Sequence, residues 1–204
     1  MANTKGAQSS PRLLPEHSVH KLKITLSYTK PPIWRRLEVP SSVTLEELHD
    51  TIQAAFGWED YHMWAFETKL GEYGIPHPEL DTLDASAKSL LEVAAGTRSR
   101  ISYTYDFGDN WKHEIVVEGV TQAEAGVSYP RCLTGKRACP PEDCGGAWGY
   151  DHLLDVLADP QHEEHADRLD WLGLDSADQF DPAAFDLAET NAELSSLAIV
   201  LLKP

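Results

Sequence analysis

Apolar and polar residues alternate with a period of two in five segments of the first two thirds of the chain. This alternation is typical of β-strands that bury one face and leave the other in water. Turn-forming residues separate the first segment from the second and the fourth from the fifth, so we expect two hairpins. The predicted strands are residues 22–28, 33–39, 62–66, 101–105 and 111–117.

Helical periodicity appears once among these strands and then dominates the last third of the chain. The spacing of apolar residues predicts helices over residues 45–56, 150–158 and 160–173. A further helix is expected after Asp181-Pro182, because Asp favours the N-cap position and Pro the first helical turn.

Most predicted strands lie in the first part of the chain and most predicted helices in the last part, and this order predicts an α+β fold. In this fold a mainly antiparallel sheet of hairpins, built from the N-terminal two thirds, is covered by helices, and the C-terminal third is helical. The length of 204 residues suits one domain with a small appendage. We expect residues 1–18 to form a disordered or loosely held tail and residues 19–204 to form a single α+β domain.

The predicted hairpin over residues 103–118 concentrates the kinds of side chain that binding sites use. Its turn contains Gly, Asp and Asn, which tolerate a positive φ. The simplest interpretation makes Trp111 a core residue, places a half-buried His113 at the edge of an apolar surface, and uses both turn aspartates to cap the backbone. In the functional interpretation, the residues that surround a pocket are Tyr105, Asp106, Asp109, Trp111 and His113.

A second segment, residues 139–150, supplies two carboxylates and a thiol just before a predicted helix. Two prolines stiffen its backbone, and Glu142, Asp143 and Cys144 follow them directly. We expect this loop to meet the hairpin and to complete an aromatic and acidic groove.

Several segments of the chain occur in an order that resembles the Ri-plasmid ORF-three-like family. They are YTYDFGDNWKHEI, CLTGKRACPPEDCGGAWGYDHLLDVLADPQHEEH and FDPAAFD, with LKITLSYTKPPIWRRLEVP and TLEELHDTIQAAFGW nearer the N-terminus. The resemblance extends over residues 19–191. Members are often labelled as the TnpR passenger protein of an insertion element. The resemblance implies a compact α+β domain and implies little about mechanism.

Two alternative metal sites can be assembled from these residues, although no cofactor is the simpler expectation. Cys132, Cys139 and Cys144 together with His113 or His152 would give zinc four soft ligands, but the cysteine spacing is not that of common zinc fingers. The same cysteines also suit three reduced thiols without a ligand role. An oxygen-rich site for a harder cation would draw on Asp106, Asp109, His113, Glu142 and Asp143.

The net charge of −16 is concentrated in the last third of the chain. Residues 139–190 contain fourteen acidic residues and one basic residue. This surface would repel a phosphate backbone and would suit a basic partner or a cation. An odd number of cysteines and the lack of an apolar run of about 18 residues fit a cytoplasmic protein without a membrane span.

Two classes of function remain, and the family label adds a third. The preferred one is a non-catalytic binding module whose aromatic and acidic groove takes a protein or peptide partner. The second is a metal-dependent or cysteine-dependent enzyme that uses His113 with Glu142, Asp143 or Cys144. The third is an accessory role in the DNA transactions of mobile elements.

Duplex DNA is predicted to bind weakly and without sequence preference, because the basic residues form only small, scattered groups. Fluorescence anisotropy with labelled duplexes at physiological salt measures this affinity. Submicromolar binding to a defined sequence would contradict the prediction and favour the mobile-element role.

Overall fold

The computed structural model describes residues 17–77 and 81–197, and its centre is an eight-stranded sheet. The strands are β1 (Ser18–Leu26), β2 (Trp34–Pro40), β3 (Trp64–Thr68), β4 (Gly71–Gly74), β5 (Leu83–Asp84), β6 (Arg100–Tyr105), β7 (Trp111–Gln122) and β8 (Arg131–Lys136). Their order across the sheet is β5-β4-β3-β6-β7-β1-β2-β8. All neighbouring strands pair antiparallel except β4 and β5, which pair in parallel.

Most of the helical residues follow the sheet in sequence, which confirms the predicted α+β fold. The helices are α1 (Leu45–Phe56), α2 (Leu90–Val93), α3 (Gly146–Ala158), α4 (His165–Leu172) and α5 (Leu187–Ser196). None of the helices in the described residues is long and apolar enough to cross a membrane. The tail predicted for residues 1–18 falls almost entirely on residues that lie outside the described part of the chain.

The prediction that each Asp-Pro pair begins a helix was wrong in its details. Helix α4 begins several residues after Asp159, and α5 begins after Asp186 rather than after Asp181. At both Asp-Pro pairs the Asp carboxylate accepts a hydrogen bond from the backbone N–H two residues later, which closes a local turn. The carboxylate of Asp186 is the one that caps a helix, by accepting from the first N–H groups of α5.

Helix α1 covers one face of the sheet because its sequence fixes both of its ends and one apolar side. Thr44 and Glu47 form a reciprocal capping box, and Gly57 ends the helix with a φ of 81°. The fully buried residues of this helix meet those of the central strands in one hydrophobic core. Along β1, the alternate residues Lys21 and Lys23 remain partly exposed, so the strand has the one buried face that its alternation predicted.

His113 lies in this core and not at its edge, so the expectation of a half-buried histidine was wrong. Its side chain is fully buried, with its ring 5.0 Å from that of Phe56 and 5.3 Å from those of Trp58 and Tyr103. Backbone groups of Trp111 and Tyr103 lie near the ring, yet neither ring nitrogen makes a hydrogen bond of acceptable geometry. Burial lowers the pKa of His113 to about 3, so the imidazole is neutral at ordinary pH.

This burial predicts a pH-dependent stability. Between pH 6.5 and about 3 the unfolded chain binds a proton at His113 that the folded chain does not bind, so the free energy of unfolding falls as the pH falls through this range. Each such proton contributes a slope of about 1.4 kcal/mol per pH unit. In urea titrations at pH 7, 6 and 5, His113→Met should show a shallower pH dependence than the unaltered protein. Equal slopes for the two proteins would contradict a neutral, buried His113.

Candidate functional site

The tip of the β6–β7 hairpin (residues 105–111) and the loop before α3 (residues 139–145) meet at one end of the sheet. The Oδ2 atom of Asp109 accepts a hydrogen bond of 3.0 Å from the Gly145 N–H. The indole Nε1 of Trp58 donates to the Pro140 carbonyl at 3.0 Å. The loop is therefore attached near both of its ends, and the carboxylates of Glu142 and Asp143 lie between these attachments.

Asp106 shapes the turn of the hairpin, as its place in a turn-forming sequence suggests. Its backbone is left-handed, with a φ of 55°, and its N–H donates to the Met63 carbonyl at 2.9 Å. Its Oδ1 atom accepts from the Gly108 N–H at 2.8 Å, and its carbonyl accepts from the Asn110 N–H at 2.6 Å. Only Oδ2 is left to face the loop, and this side chain is almost completely buried.

Two glycines allow the loop to approach so closely. A Cβ at Gly146 would lie 2.3 Å from the carbonyl oxygen of Asp109, and one at Gly149 would lie 1.9 Å from that of Cys144. Any side chain at either position would push the backbone segments apart. A close backbone contact with the hairpin tip thus explains the glycine at position 146, and the left-handed backbone, with a φ of 94°, explains the glycine at position 145.

A chain of hydrogen bonds links the hairpin to the loop through Tyr105. The phenol donates to a carboxylate oxygen of Glu142 and accepts from the Tyr61 N–H at 3.0 Å. The other carboxylate oxygen of Glu142 accepts from the Glu59 N–H at 3.3 Å. Burial, and then the hydrogen bond to Glu142, raise the pKa of Tyr105 well above its usual value, so the hydroxyl stays protonated as a donor.

Sequence reasoning missed His62, which points at this junction from the segment before β3. Its Nε2 atom lies 3.2 Å from Oδ1 of Asp143 and 3.8 Å from Oδ2 of Asp106. The atom is shielded from solvent and makes no hydrogen bond of acceptable geometry. Asp106 and Asp143, two of the five residues proposed for a hard-cation site, therefore converge. The histidine beside them is His62 and not His113.

A second missed histidine, His49, lies deeper and is fully engaged. Its Nδ1 is 2.7 Å from the Tyr103 hydroxyl and its Nε2 is 2.8 Å from Oδ1 of Asp60, while its ring stacks on Trp64 at 4.1 Å between centroids. Burial outweighs the nearby Asp60 and lowers the pKa of His49 to about 4. We interpret this group as a support for the sheet end, because both ring nitrogens already have partners.

The three cysteines are not brought together with His113. In the described part of the chain, two groups of metal-ligand atoms gather within 4.8 Å, one around His49 and one around His62, and neither contains a cysteine. Cys132 is buried in β8, where its backbone N–H donates to the side chain of Asn191. The zinc set drawn from the sequence thus has no ligand geometry in the described residues.

A nucleophilic role for Cys144 also lacks support from the geometry. Burial and the charge of Asp109 raise the pKa of the Cys144 thiol to about 12, so the reactive thiolate is disfavoured. The proposed base, His113, is enclosed in the core. The ring of Trp58 packs against it, and the indole N–H of Trp58 donates to the loop at the Pro140 carbonyl.

Large apolar side chains project into solvent around the junction. The most exposed are Trp148 at 85%, Tyr61 at 72% and Phe107 at 50% of their accessible areas. Phe107 belongs to the hairpin tip, Tyr61 is bonded to Tyr105, and Trp148 lies two residues beyond the contact at Gly146. By contrast, Trp111 is buried and serves the core, as its simplest interpretation predicted.

Most of the basic residues considered as contacts for a phosphate backbone are engaged within the protein. Arg36 forms a two-bond ion pair with Glu118, at 2.7 and 2.9 Å. The guanidinium of Arg35 is buried and donates to three backbone carbonyls between the rings of Phe56 and Phe185. These contacts agree with the expectation of weak DNA binding, which stays a prediction.

Comparison with known proteins places the chain among uncharacterised relatives. Residues 18–189 match the family model described as plasmid pRiA4b ORF-3-like protein. The uncharacterized protein y4hQ of Sinorhizobium fredii (strain NBRC 101917 / NGR234) is 39% identical over 184 residues, which cover 89% of this chain and 93% of the relative. The crystal structure of the protein of unknown function MM3350 from Methanosarcina mazei Go1 shares 41% identity with a TM-score of 0.74, covering 84% of this chain and 97% of its own.

Removing the hydroxyl of Tyr105 should loosen the loop. Tyr105→Phe removes the hydrogen bonds to Glu142 and from Tyr61, and should lower the free energy of unfolding by about 1–3 kcal/mol. Hydrogen exchange of the 139–145 amides should also become faster. Tyr103→Phe is the matched control, because it loses buried hydrogen bonds to His49 and Gln53 but does not touch the loop. Equal exchange of the loop amides in the two variants would show that Tyr105 does not hold the loop.

Proposed function

The chain belongs to the plasmid pRiA4b ORF-3-like family, and we propose that it is a non-catalytic binding module that takes a basic segment of a protein partner. The docking surface comprises the hairpin tip, the 139–145 loop and the exposed side chains of Tyr61 and Trp148. The observation that carries this proposal is the exposure of three large aromatic residues beside carboxylates that form no ion pair with a Lys or Arg of the described residues.

The aromatic side chains provide the apolar part of such a surface. Tryptophan and tyrosine are enriched among the residues that contribute most to binding, because they bury a large area with few rotatable bonds. Exposing them costs solubility unless a partner covers them. Trp148 is the most exposed of the large apolar residues among residues 17–77 and 81–197, which makes it the best anchor of this surface.

The carboxylates around these rings select for positive charge. Among the described residues, no Lys or Arg lies within 4.0 Å of the carboxylates of Glu59, Asp109 or Glu142. Their charges are therefore available to a partner. A basic segment would be drawn to them at long range and held in register at short range.

The surface is also rigid, which favours binding over catalysis by loop closure. The loop is fixed by Trp58, Tyr105 and Asp109 through the hydrogen bonds described above. A preorganised surface loses little conformational entropy when a partner binds. The buried histidines at its base are neutral and enclosed, so they support the surface without taking part in proton transfer.

Selection from a random peptide display library tests this proposal. The enriched peptides should carry a net positive charge and at least one large apolar residue, and their affinity should fall as salt is raised from 50 to 500 mM. The double variant Phe107→Ala/Trp148→Ala should weaken binding of the best peptide by at least about 10-fold, since truncating an interfacial aromatic anchor commonly costs this much.

Trp171→Ala provides the matched control, because Trp171 is also exposed, at 44%, but lies on α4 and belongs to neither the hairpin tip nor the 139–145 loop. It should leave the affinity unchanged. Enrichment of acidic peptides, or equal losses in the double variant and in Trp171→Ala, would refute this docking surface.

A further inference from the structure

We propose that His62, Asp106 and Asp143 bind one divalent transition-metal ion, Zn²⁺ or Mn²⁺, at the junction of the hairpin tip and the 139–145 loop. One nitrogen and two carboxylate oxygens are a common ligand set for such ions. The proposal concerns a site inside the junction and does not depend on whether a peptide binds outside it.

The spacing of the three ligand atoms suits a metal ion. Two atoms that each lie about 2.1 Å from a tetrahedral zinc are about 3.4 Å apart. The distances from Nε2 of His62, 3.2 Å to Asp143 and 3.8 Å to Asp106, bracket this value. All three atoms lie within 4.8 Å of one another, so an ion can be reached by small side-chain rotations.

The electrostatics of the group require a positive charge between its members. The lone pair of a neutral imidazole nitrogen and two carboxylate oxygens repel one another when they converge. A proton on Nε2 would relieve the repulsion by donating to Asp143, yet the geometry at this nitrogen does not satisfy a hydrogen bond. An ion bound between the ligands accounts for an enclosed Nε2 that faces two oxygens without bonding to either.

Two of the three ligands are held in place by contacts that do not use the metal-facing atom. Asp106 is almost fully buried, and the Gly108 N–H occupies its Oδ1, which leaves Oδ2 aimed into the group. The ring of His62 packs edge-on against Tyr105 at 5.8 Å. Asp143 has a left-handed φ of 57° two residues before the anchored Gly145, and its side chain is 68% exposed, which gives an ion a path of entry.

The group of possible metal ligands around His49 differs from the group around His62 in its hydrogen bonds. It has the same composition of ligand types, with Asp50 and Asp60 beside the imidazole. Both ring nitrogens of His49 are already hydrogen-bonded, to Tyr103 and to Asp60. A metal there would have to displace a formed hydrogen bond, whereas at His62 it would satisfy an atom that has none.

The test is titration of the metal-stripped full-length protein with ZnCl₂ and MnCl₂, and in parallel with MgCl₂ and CaCl₂, by isothermal calorimetry and thermal unfolding. We expect one equivalent of Zn²⁺ or Mn²⁺ per chain, and a rise in melting temperature of about 5 °C or more at a hundredfold excess over Kd. Asp106→Asn, Asp143→Asn and His62→Gln should each weaken binding by at least about 100-fold, because changes in the residues around metal ligands already cost up to this much.

The two Asn variants separate loss of the site from loss of the fold. Asn adopts a left-handed backbone readily, and at position 106 its side-chain oxygen can still accept from the Gly108 N–H. With EDTA present, both variants should therefore unfold at nearly the temperature of the unaltered protein. His152→Gln is the control for adventitious binding, because the exposed His152 and the partly exposed His162 have ring centroids 5.8 Å apart.

Three results would overturn the proposal. The first is no binding of either transition metal below millimolar concentration. The second is stoichiometric binding that is lost in His152→Gln but kept in His62→Gln. The third is binding that is lost when Cys139 or Cys144 is changed to Ser but kept in Asp106→Asn, which would restore the cysteine-based zinc site.

Discussion

The candidate site depends on one contact between two backbone segments, the carbonyl of Asp109 and the start of α3 at Gly146. The gap is too small for any side chain, since an added Cβ would lie 2.3 Å from the carbonyl oxygen. Because α3 begins there, the direction of the preceding loop is fixed, and the Gly145 N–H reaches the Asp109 carboxylate. The carboxylates of Glu142 and Asp143 can only face the hairpin because this contact sets where the loop ends.

The junction rests on a layer of packed aromatic rings. The ring of Trp58 lies 5.0 Å from Tyr105 and 5.3 Å from His113, and Phe56 closes the layer from α1. Such ring pairs contribute about 0.5–1.5 kcal/mol each beyond the burial of their area. Since His113 stays neutral in this layer, it acts as a flat, aromatic core residue. Its place in the site is that of a support, one layer below the loop.

Features that depend on neighbouring residues in the sequence were predicted correctly, whereas features that depend on contacts between distant segments were not. Alternation predicted the two hairpins because their strands, β1, β2, β6 and β7, each bury every second residue. The Asp-Pro pairs led to a wrong prediction of where two helices begin, because an Asp side chain forms the same hydrogen bond to the backbone in a turn as at a helix N-cap. His62 could not be assigned to the site, since Asp106 and Asp143 are 44 and 81 positions away. The full burial of His113 could likewise not be predicted from the sequence, because it depends on the helix that covers its strand.

Three histidines near this end of the sheet differ in what their ring nitrogens face, and this difference assigns their roles. His49 bonds through both nitrogens, and His113 packs against rings, so each stabilises the fold in its neutral form. His62 alone among these three faces carboxylates without a bond.

A divalent ion held by His62 would neutralise the two aspartates and would leave the charges of Glu59, Glu142 and Asp109 unpaired. Attraction for a basic partner would then persist, since these three carboxylates lie on the same junction. The ion would also fix Asp143, the most exposed of its ligands. Metal binding would thus lower the negative charge of the docking surface, which weakens its attraction for a basic partner. It would also make the loop more rigid, which lowers the entropy lost when a partner binds. The effect of the metal on partner affinity is the balance of these two contributions.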